Sequence, residues 1–429
     1  MMNLTYSYRI YPSLDQEALM LSWLEQCRRV YNYALAERKD WINSRSGQVN
    51  ACSIKQEYII PAETLYPDYY KQQNALTKAK EAIPELKVVH SQVLQDALKR
   101  LDKAFKFRQE RGFGFPRFKK FGQYRSFVFP QFKANPINGF NTAVATTRGT
   151  RATRCLLKLP KIGAVQLNLH RQIPEGMTVK QVRVVLKASG WYAQLILQAD
   201  VSVPEVMPHG ESIGIDLGLE KFLAVSDGQL VERPRFFGDL QSKLKWLQGK
   251  LRDKKKDSAN YRKAQAKIRR LHEYIHNVRR EFHILTAHTL CDKAGAIFAE
   301  DLNLKMTSRG MLAKHCLDAA WGSFLDILKW VSWKRGVYLA KVDPKGTSQT
   351  CPICQAHTGK KELSQRVHSC GECGYVTDRD VAAAQVVMQR GIAAAGLAVF
   401  LPVEEGCLGT PKKQENLSCE IEKPALYHS

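Results

Sequence analysis

Residues 213–228 read IGIDLGLEKFLAVSDG. The stretch has the pattern of an apolar strand, a turn at Gly218 and a second apolar strand. Asp216 is the residue this pattern does not explain. A charge inside an apolar strand costs several kcal/mol unless something pairs it. Working outward, AIFAEDLN at 296–303 repeats the arrangement, a short apolar strand that ends in acid at Glu300. VYLAKVDP at 337–344 reads as another strand, and Asp380 opens a helix, DVAAAQVV, at 380–387. Each acid has a local reading as well: Asp216 as a turn former before Gly218, Asp380 as a helix N-cap. Taken together, three carboxylates from three separate elements fit a metal site for phosphodiester hydrolysis. Hard oxygens bind Mg²⁺, and two ions ~4 Å apart stabilise the attacking and leaving oxygens.

A cysteine cluster precedes the last acid. Cys351-Pro-Ile-Cys354 and Cys370-Gly-Glu-Cys373 are separated by 15 residues. This spacing predicts one zinc, because each CxxC turn presents two thiolates and two such turns close a tetrahedron. Four thiolates leave no position for water, so the predicted zinc is structural. His357 and His368, in the intervening loop, are expected to be spectators.

The rest of the chain reads as two further kinds of segment. NLTYSYRI at 3–10 alternates as a strand does, and from Ser13 to about Arg111 the apolar period becomes helical, as at Leu14, Ala18, Leu21 and Leu24. This predicts a helical subdomain inserted after one strand. Residues 140–205 return to β signals, with VRVVLKASG and WYAQLILQ as a hairpin turning near Ala188-Ser189-Gly190. A long basic helical stretch is expected over roughly 239–292, and further helices over 319–335 and from about Arg379 to Arg390.

At 429 residues, 44% hydrophobic and 25% charged, the chain has the composition of folded domains rather than of a disordered polymer. Lys and Arg exceed Asp and Glu by 65 to 41, a net charge of +24, which calls for a polyanionic partner. A membrane is not the expected one. The longest mostly apolar run, Gly391–Val403, is too short to span a bilayer, and MMNLTYSYRIYPSLD lacks the basic cap and apolar run of a secretory signal. Cysteine usage, four clustered and the others scattered, suits a reducing cytoplasm.

The positive charge is concentrated. Residues 241–280 hold 14 Lys and Arg against three acids. A solvated helix normally mixes signs, so Lys254, Lys255, Lys256, Arg269 and Arg270 are candidates for backbone contact with nucleic acid. Residues 101–132 hold ten aromatics with eight Lys and Arg. Bases stack on aromatic faces while cations hold phosphates, which makes Phe115, Arg117, Lys119, Lys120, Tyr124 and Arg125 a second candidate set. Phe127 and Phe129, two residues apart, fall on one face of a strand and are expected in a strand core. His272-Glu273-Tyr274-Ile275-His276 satisfies HExxH, a metalloprotease signature when it lies on a helix. Its surroundings are basic, and Arg279 and Phe282 occupy the positions of the glycine and third histidine of one such family. A packed or nucleic-acid-facing helix is the expected reading.

GIDLGLEKFLAVSDG, AEDLNL and KGTSQTCPICQ…CGECGYVTDRDVAAAQ, in this order, resemble the TnpB (OrfB) proteins of bacterial insertion sequences, relatives of the type V CRISPR nucleases. YSYRIYPSLDQEALMLSWLEQCRRVYNYAL, RFKKFGQYRSFVFPQ and RKAQAKIRRLHEYIHNVRREFH fit the same family, so that the resemblance covers about residues 3–390. It implies an α/β multidomain protein, with an RNase-H-like (RuvC) nuclease domain that carries a zinc-ribbon insertion and follows a β-barrel module interrupted by a helical bundle. In this chain it implies residues 1–10 as the first strand of the barrel (wedge) module, 11–120 as the helical recognition domain and 121–206 as the rest of the barrel. The nuclease domain would take 207–346 and 376–400, the zinc ribbon 347–375 and a flexible tail 401–429.

The function implied is RNA-guided DNA endonuclease. Asp216, Glu300 and Asp380 would be the catalytic triad, with two Mg²⁺ for catalysis and one structural Zn²⁺ on Cys351, Cys354, Cys370 and Cys373. The partners would be a guide RNA from the transposon end and double-stranded target DNA, in a prokaryotic cytoplasm at the nucleoid. The guide sequence, the target-adjacent motif and the oligomeric state are not written in the residues. Two positions depart from the family pattern. The last motif usually reads Asp-x-Asn-Ala-Ala, and here Ala382 stands in place of the Asn. Gln355 stands where a glycine commonly follows the first CxxC. The rival readings are an RNA-guided DNA-binding repressor without cleavage, which Ala382 would favour, and a transposase that joins strands through an RNase-H-like triad.

Overall fold

The computed structural model describes residues 2–45, 60–132, 153–201, 205–256, 258–303, 311–362 and 365–396. The expected tail, 401–429, lies outside the described residues. The chain divides into two compact units: Met1–Glu205 with Phe236–Glu281, and Val206–Arg235 with Phe282–Ser429.

The first unit is an antiparallel sheet with a helical insertion. Its strands are β1 (Met2–Tyr11), β2 (Ser126–Phe129), β3 (Thr153–Leu159), β4 (Gly163–Leu169), β5 (Thr178–Lys187) and β6 (Gly190–Ala199), in the order β2-β5-β6-β1-β4-β3. Among the described residues the two outer strands do not pair with each other. The module expected as a barrel is therefore an open half-barrel sheet, with β1 inside it. The β5–β6 hairpin turns through Ala188-Ser189, with Lys187 opposite Gly190, as the sequence predicts. Burial in β6 alternates residue by residue, which is the signature of a sheet with one face on the core.

Between β1 and β2 lie α1 (Leu14–Asn43), α2 (Tyr69–Ala82), the single turn α3 (Glu85–Val88) and α4 (Ser91–Arg111). Ser13 and Gln16 close a capping box at the start of α1, which satisfies two otherwise orphan backbone groups. Met20, Trp23, Leu24, Cys27, Tyr31, Ala34 and Leu35 give α1 one apolar face. Trp23 packs against Phe127 and Phe129 with ring centroids 5.4 and 6.1 Å apart. Both phenylalanines are strand core, as expected, but Val128 between them is buried as well, so β2 does not alternate with polar residues.

The second unit is built on a mixed sheet. β7 (Ser212–Leu217), β8 (Lys221–Val225) and β9 (Leu230–Glu232) form an antiparallel meander, and β10 (Ala296–Glu300) and β11 (Tyr338–Val342) extend it in parallel on the other side of β7. The order is β11-β10-β7-β8-β9. Every residue of β10 is buried, as expected of a parallel strand covered on both faces.

The long basic stretch is two helices, α5 (Gln241–Arg252) and α6 (Ala259–Lys293). Lys254, Lys255 and Lys256 therefore lie in the connection, not on a helix as expected. Three adjacent like charges gain nothing from helical spacing, and the Ser258 hydroxyl accepts from the Tyr261 N–H at 3.1 Å to start α6 afresh. The helix expected over 319–335 is α8 (Trp321–Arg335); a short helix before it, α7 (Ala313–Ala319), is set off from it by Ala320, whose φ is +53°. A two-stranded ribbon, β12 (Val367–Ser369) with β13 (Val376–Asp378), leads into α9 (Arg379–Ala394).

Candidate active site and nucleic-acid interface

The acids predicted as a triad sit on β7, β10 and α9. Asp216 lies inside β7, paired across the sheet with Ala224, so it is a strand residue and not a turn former. Glu300 is the last residue of β10 and is buried. Asp380 lies in the first turn of α9, but the capping is done by Asp378, whose carboxylate accepts from the N–H groups of Asp380 at 2.8 Å and Val381 at 3.3 Å. The Asp380 carboxylate is thereby left out of the helix's own hydrogen bonding.

Two glycines set α9 against the sheet. A Cβ on Gly214 would lie 2.0 Å from the Ala384 carbonyl oxygen, and a Cβ on Gly391 would lie 2.1 Å from the Phe298 ring. The helix backbone thus rests directly on β7, and Phe298 of β10 occupies the space beside Gly391. This brings Asp380 Oδ2 to 3.7 Å from the Cβ position of Gly218, two residues beyond Asp216.

The carboxylates feel one another. Burial, then Glu300, then Asp380 push the Asp216 carboxyl up to about 8. Burial pushes Glu300 up, against a hydrogen bond donated by the Thr347 hydroxyl and the pull of Arg390. Burial and Asp378 push Asp380 up. A bound cation would offset the cost of ionising such a set. Among the described residues, the four cysteines are the one group of three or more His, Cys, Asp or Glu whose ligand atoms lie within 4.8 Å of one another, so the three carboxylates are spread more widely than that.

The cysteines fit zinc. Cys351 and Cys373 have their sulfurs 3.6 Å apart, and Cys354 and Cys370 3.5 Å apart. A tetrahedron with Zn–S of about 2.3 Å has edges of about 3.8 Å. The two turns are built alike: Gln355 N–H donates to the Cys351 carbonyl and Gly374 N–H to the Cys370 carbonyl, both at 3.0 Å. Gln355 and Gly374 share a left-handed backbone, with φ of +60° and +74°. Gln355 spends its amide on Gln389 of α9 at 2.7 Å. His357 and His368 stand outside the ligand set, as expected.

The basic candidates divide. Lys120, Phe121, Arg125, Lys256, Arg262 and Arg269 line a groove of about 850 Å³ in the first unit, and among the described residues no acid lines it. Lys254, Lys255 and Arg270 do not line it. Phe115 and Arg117 line a separate shallow recess with Phe118. Lys119 is partly used inside the fold, its backbone exchanging hydrogen bonds with Asn32. Tyr124 is buried against Tyr31, and burial raises its hydroxyl pKa. Sequence reasoning missed Phe121, which is 78% exposed, and Arg262. The signal for Phe121 was its neighbour Gly122, whose φ of +73° makes the turn that presents the ring.

HExxH does not form a metal site. Glu273 accepts from the backbone N–H and hydroxyl of Ser189 at 2.8 and 2.7 Å, which ties α6 to the β5–β6 turn.

The family described as "Probable transposase" (OrfB of IS605) matches residues 194–309, and its helix-turn-helix domain matches 1–47, whose described residues hold β1 and the single helix α1. A Cas12f1-like TNB domain matches 321–387, the span that includes the four cysteines. The Cas12f1 chain of a Cas12f1–sgRNA–target DNA complex superposes with a TM-score of 0.53 at 14% identity, over 90% of this chain and 98% of that one, a likeness of fold. The fold thus resembles that of Cas12f1, α/β with a zinc-ribbon-like domain and a half-barrel sheet. Two curated proteins bear the name "Putative RNA-guided DNA endonuclease". InsQ of Escherichia coli (strain K12) is 31% identical over 96% of both chains, and a Streptomyces pristinaespiralis protein is 27% identical over 91% of this chain and 90% of its own. The chain belongs to the OrfB (TnpB) family of insertion-sequence proteins. Among the described residues no helix is long and apolar enough to cross a membrane.

Proposed function

We propose that this chain is an RNA-guided DNA endonuclease that hydrolyses target DNA at an RNase-H-like (RuvC) site made by Asp216, Glu300 and Asp380. The observation that carries the reading is the seating of α9. Gly214 and Gly391 bring a third carboxylate to a sheet that already holds two, so that each acid raises the cost of ionising Asp216. A fold spends stability in this way where a cation is to be held. The strand order, an antiparallel meander extended by two parallel strands, supports the RNase-H-like assignment. On this reading the second unit is the nuclease with its zinc ribbon, and the first unit combines the wedge and recognition modules.

Asp216, Glu300 and Asp380 are the residues that would hold two Mg²⁺. Divalent ions bound there supply Lewis-acid stabilisation of the attacking and leaving oxygens. Thr347 orients Glu300, and Asp378, by capping α9, leaves the Asp380 carboxylate available. Zinc on the four cysteines would fix the ribbon that delivers Asp380. Guide RNA would read sequence by pairing, while the basic groove of the first unit holds backbone by charge.

The repressor reading is favoured by one observation: Ala382, in place of the family's Asn, is 1% exposed and offers no polar group. Plasmid cleavage and target binding, measured side by side with the cognate RNA, decide between the two. Asp216→Ala is expected to lose cleavage entirely and to keep binding within about twofold, since metal ligands act on the transition state and pairing supplies affinity. Wild type that binds and never cuts establishes the repressor. Cleavage by Asp216→Ala at the wild-type rate refutes the triad.

A further inference from the structure

The basic groove has an apolar annex. A pocket of about 330 Å³ opens beside it and shares Phe121, Gly122, Arg125 and Arg269 with it. Leu21, Leu24, Tyr124, Leu186, Ala188 and Ala266 supply its apolar walls. That volume lies at the lower end of the range of about 300–1,000 Å³ found for small-ligand sites. Among the described residues one acid lines the pocket, Glu25, and it is already bound by Arg28 at 2.6 Å and Arg29 at 3.2 Å. At the junction of groove and pocket, Arg125 and Arg269 have no acid partner among the described residues. Arg125 gives one N–H to the Gly122 carbonyl at 3.0 Å and faces a second guanidinium instead of a carboxylate.

An apolar recess whose mouth carries two unmatched guanidiniums is complementary to one kind of ligand, a planar apolar group attached to an anionic chain. A nucleotide turned out of its strand is that ligand. Duplex DNA offers such a base only after unpairing and unstacking, which costs a few kcal/mol, whereas an RNA loop or bulge offers it already unstacked. We infer that the pocket receives a single unpaired nucleobase of the bound RNA, with the flanking phosphates on Arg125 and Arg269. Phe121, on the rim of both cavities, closes over the base. The site would fix the register of the RNA on the first unit independently of guide pairing. This inference rests on the RNA-guided reading above.

The experiment uses the full chain and the RNA that copurifies with it, sequenced and resynthesised. Chemical probing of the complex should show one unpaired base protected in wild type and reactive in Ala266→Phe, a change that fills the pocket and leaves its charge intact. Ala266→Phe should bind the RNA about tenfold more weakly with an unchanged salt slope, because a stacked base contributes on the order of a tenfold to hundredfold effect and no phosphate contact is lost. Arg125→Gln should lower the slope by about 0.7–0.9. Removing the protected base from the RNA should cost wild type the same tenfold and cost Ala266→Phe nothing more. The abasic measurement on wild type decides even if Ala266→Phe does not fold. Full affinity of wild type for the abasic RNA overturns the pocket assignment, as does a protected base in the DNA instead of the RNA. Wild type that binds no RNA at all overturns the RNA-guided reading itself, a distinct result.

Discussion

Asp216 keeps its proton to about pH 8 because it is drawn partly out of water and lies near two other acids. The metal-free folded chain therefore binds more protons than the unfolded chain between about pH 4 and pH 8. The sign follows: stability is greatest at the acid end of this window and is lost as pH rises through it. Asp216→Asn removes that cost, so the metal-free variant should melt several degrees above wild type at pH 8 and with no gain at pH 4. Thermal unfolding in chelator at both pH values measures this. Metal has the opposite slope, since it must displace the same proton. The Mg²⁺ concentration needed for half-maximal cleavage should fall between pH 6 and 8, by up to about tenfold per unit for each proton released, and level off above. A midpoint independent of pH would mean that Asp216 is not a ligand.

Helix α9 is placed by what it lacks. Gly391→Ala would put a methyl group 2.1 Å from the Phe298 ring, so the helix or the ring must give way. Overpacking of this kind costs about 1–3 kcal/mol. A shift near 1 Å at Asp380 should reduce cleavage by about 100-fold while zinc content and RNA binding stay at wild-type levels. Gly214→Ala should do more, because the obstruction there is the Ala384 carbonyl, which is backbone and cannot rotate aside. The ribbon reaches the same helix from its other end. Elemental analysis should find about one zinc per chain, and Cys370→Ser should lose that zinc and, with it, the fixed placement of β13, which ends at Asp378 two residues before Asp380, so that cleavage falls without any change in the acids. The strands of the second unit were readable in the sequence because IGIDLG and AIFAE are apolar runs of strand length, each with one anomalous acid. The seating of α9 was not, because a glycine in a strand reads equally well as a bulge or a close approach. The cap was not either, since Asp378 and Asp380 are both acids one residue from Arg379 and only geometry says which one turns back on the helix.

At the scale of the whole molecule the charge was readable and its meeting places were not. A net of +24 and the two basic stretches predict a polyanion. Periodicity cannot say that Lys120 and Arg125 share a groove with Lys256, Arg262 and Arg269, more than a hundred residues away in sequence, nor that Lys254 and Lys255 stand outside it. The test is the salt dependence of RNA binding. Replacing Lys256, Arg262 and Arg269 together with Gln should reduce the log–log slope by roughly 2–3, and the same change at Lys254, Lys255 and Arg270 should reduce it by less. Equal losses would mean that the anion does not follow the groove. The place of β1 in its sheet has a consequence of another kind. Its two neighbours, β4 and β6, end at Leu169 and Ala199, so β1 has no partner on either side until some 150 to 190 residues have been synthesised after it. At about 5–20 residues per second that interval is roughly 10–40 s. During it the α1–α4 helices, which are complete in the chain before either partner strand, can form on the ribosome, while β1 waits as an unpaired edge open to any other strand. Production of the protein is thus exposed to aggregation mainly before Ala199 emerges, and slowing translation beyond that point should do it little harm.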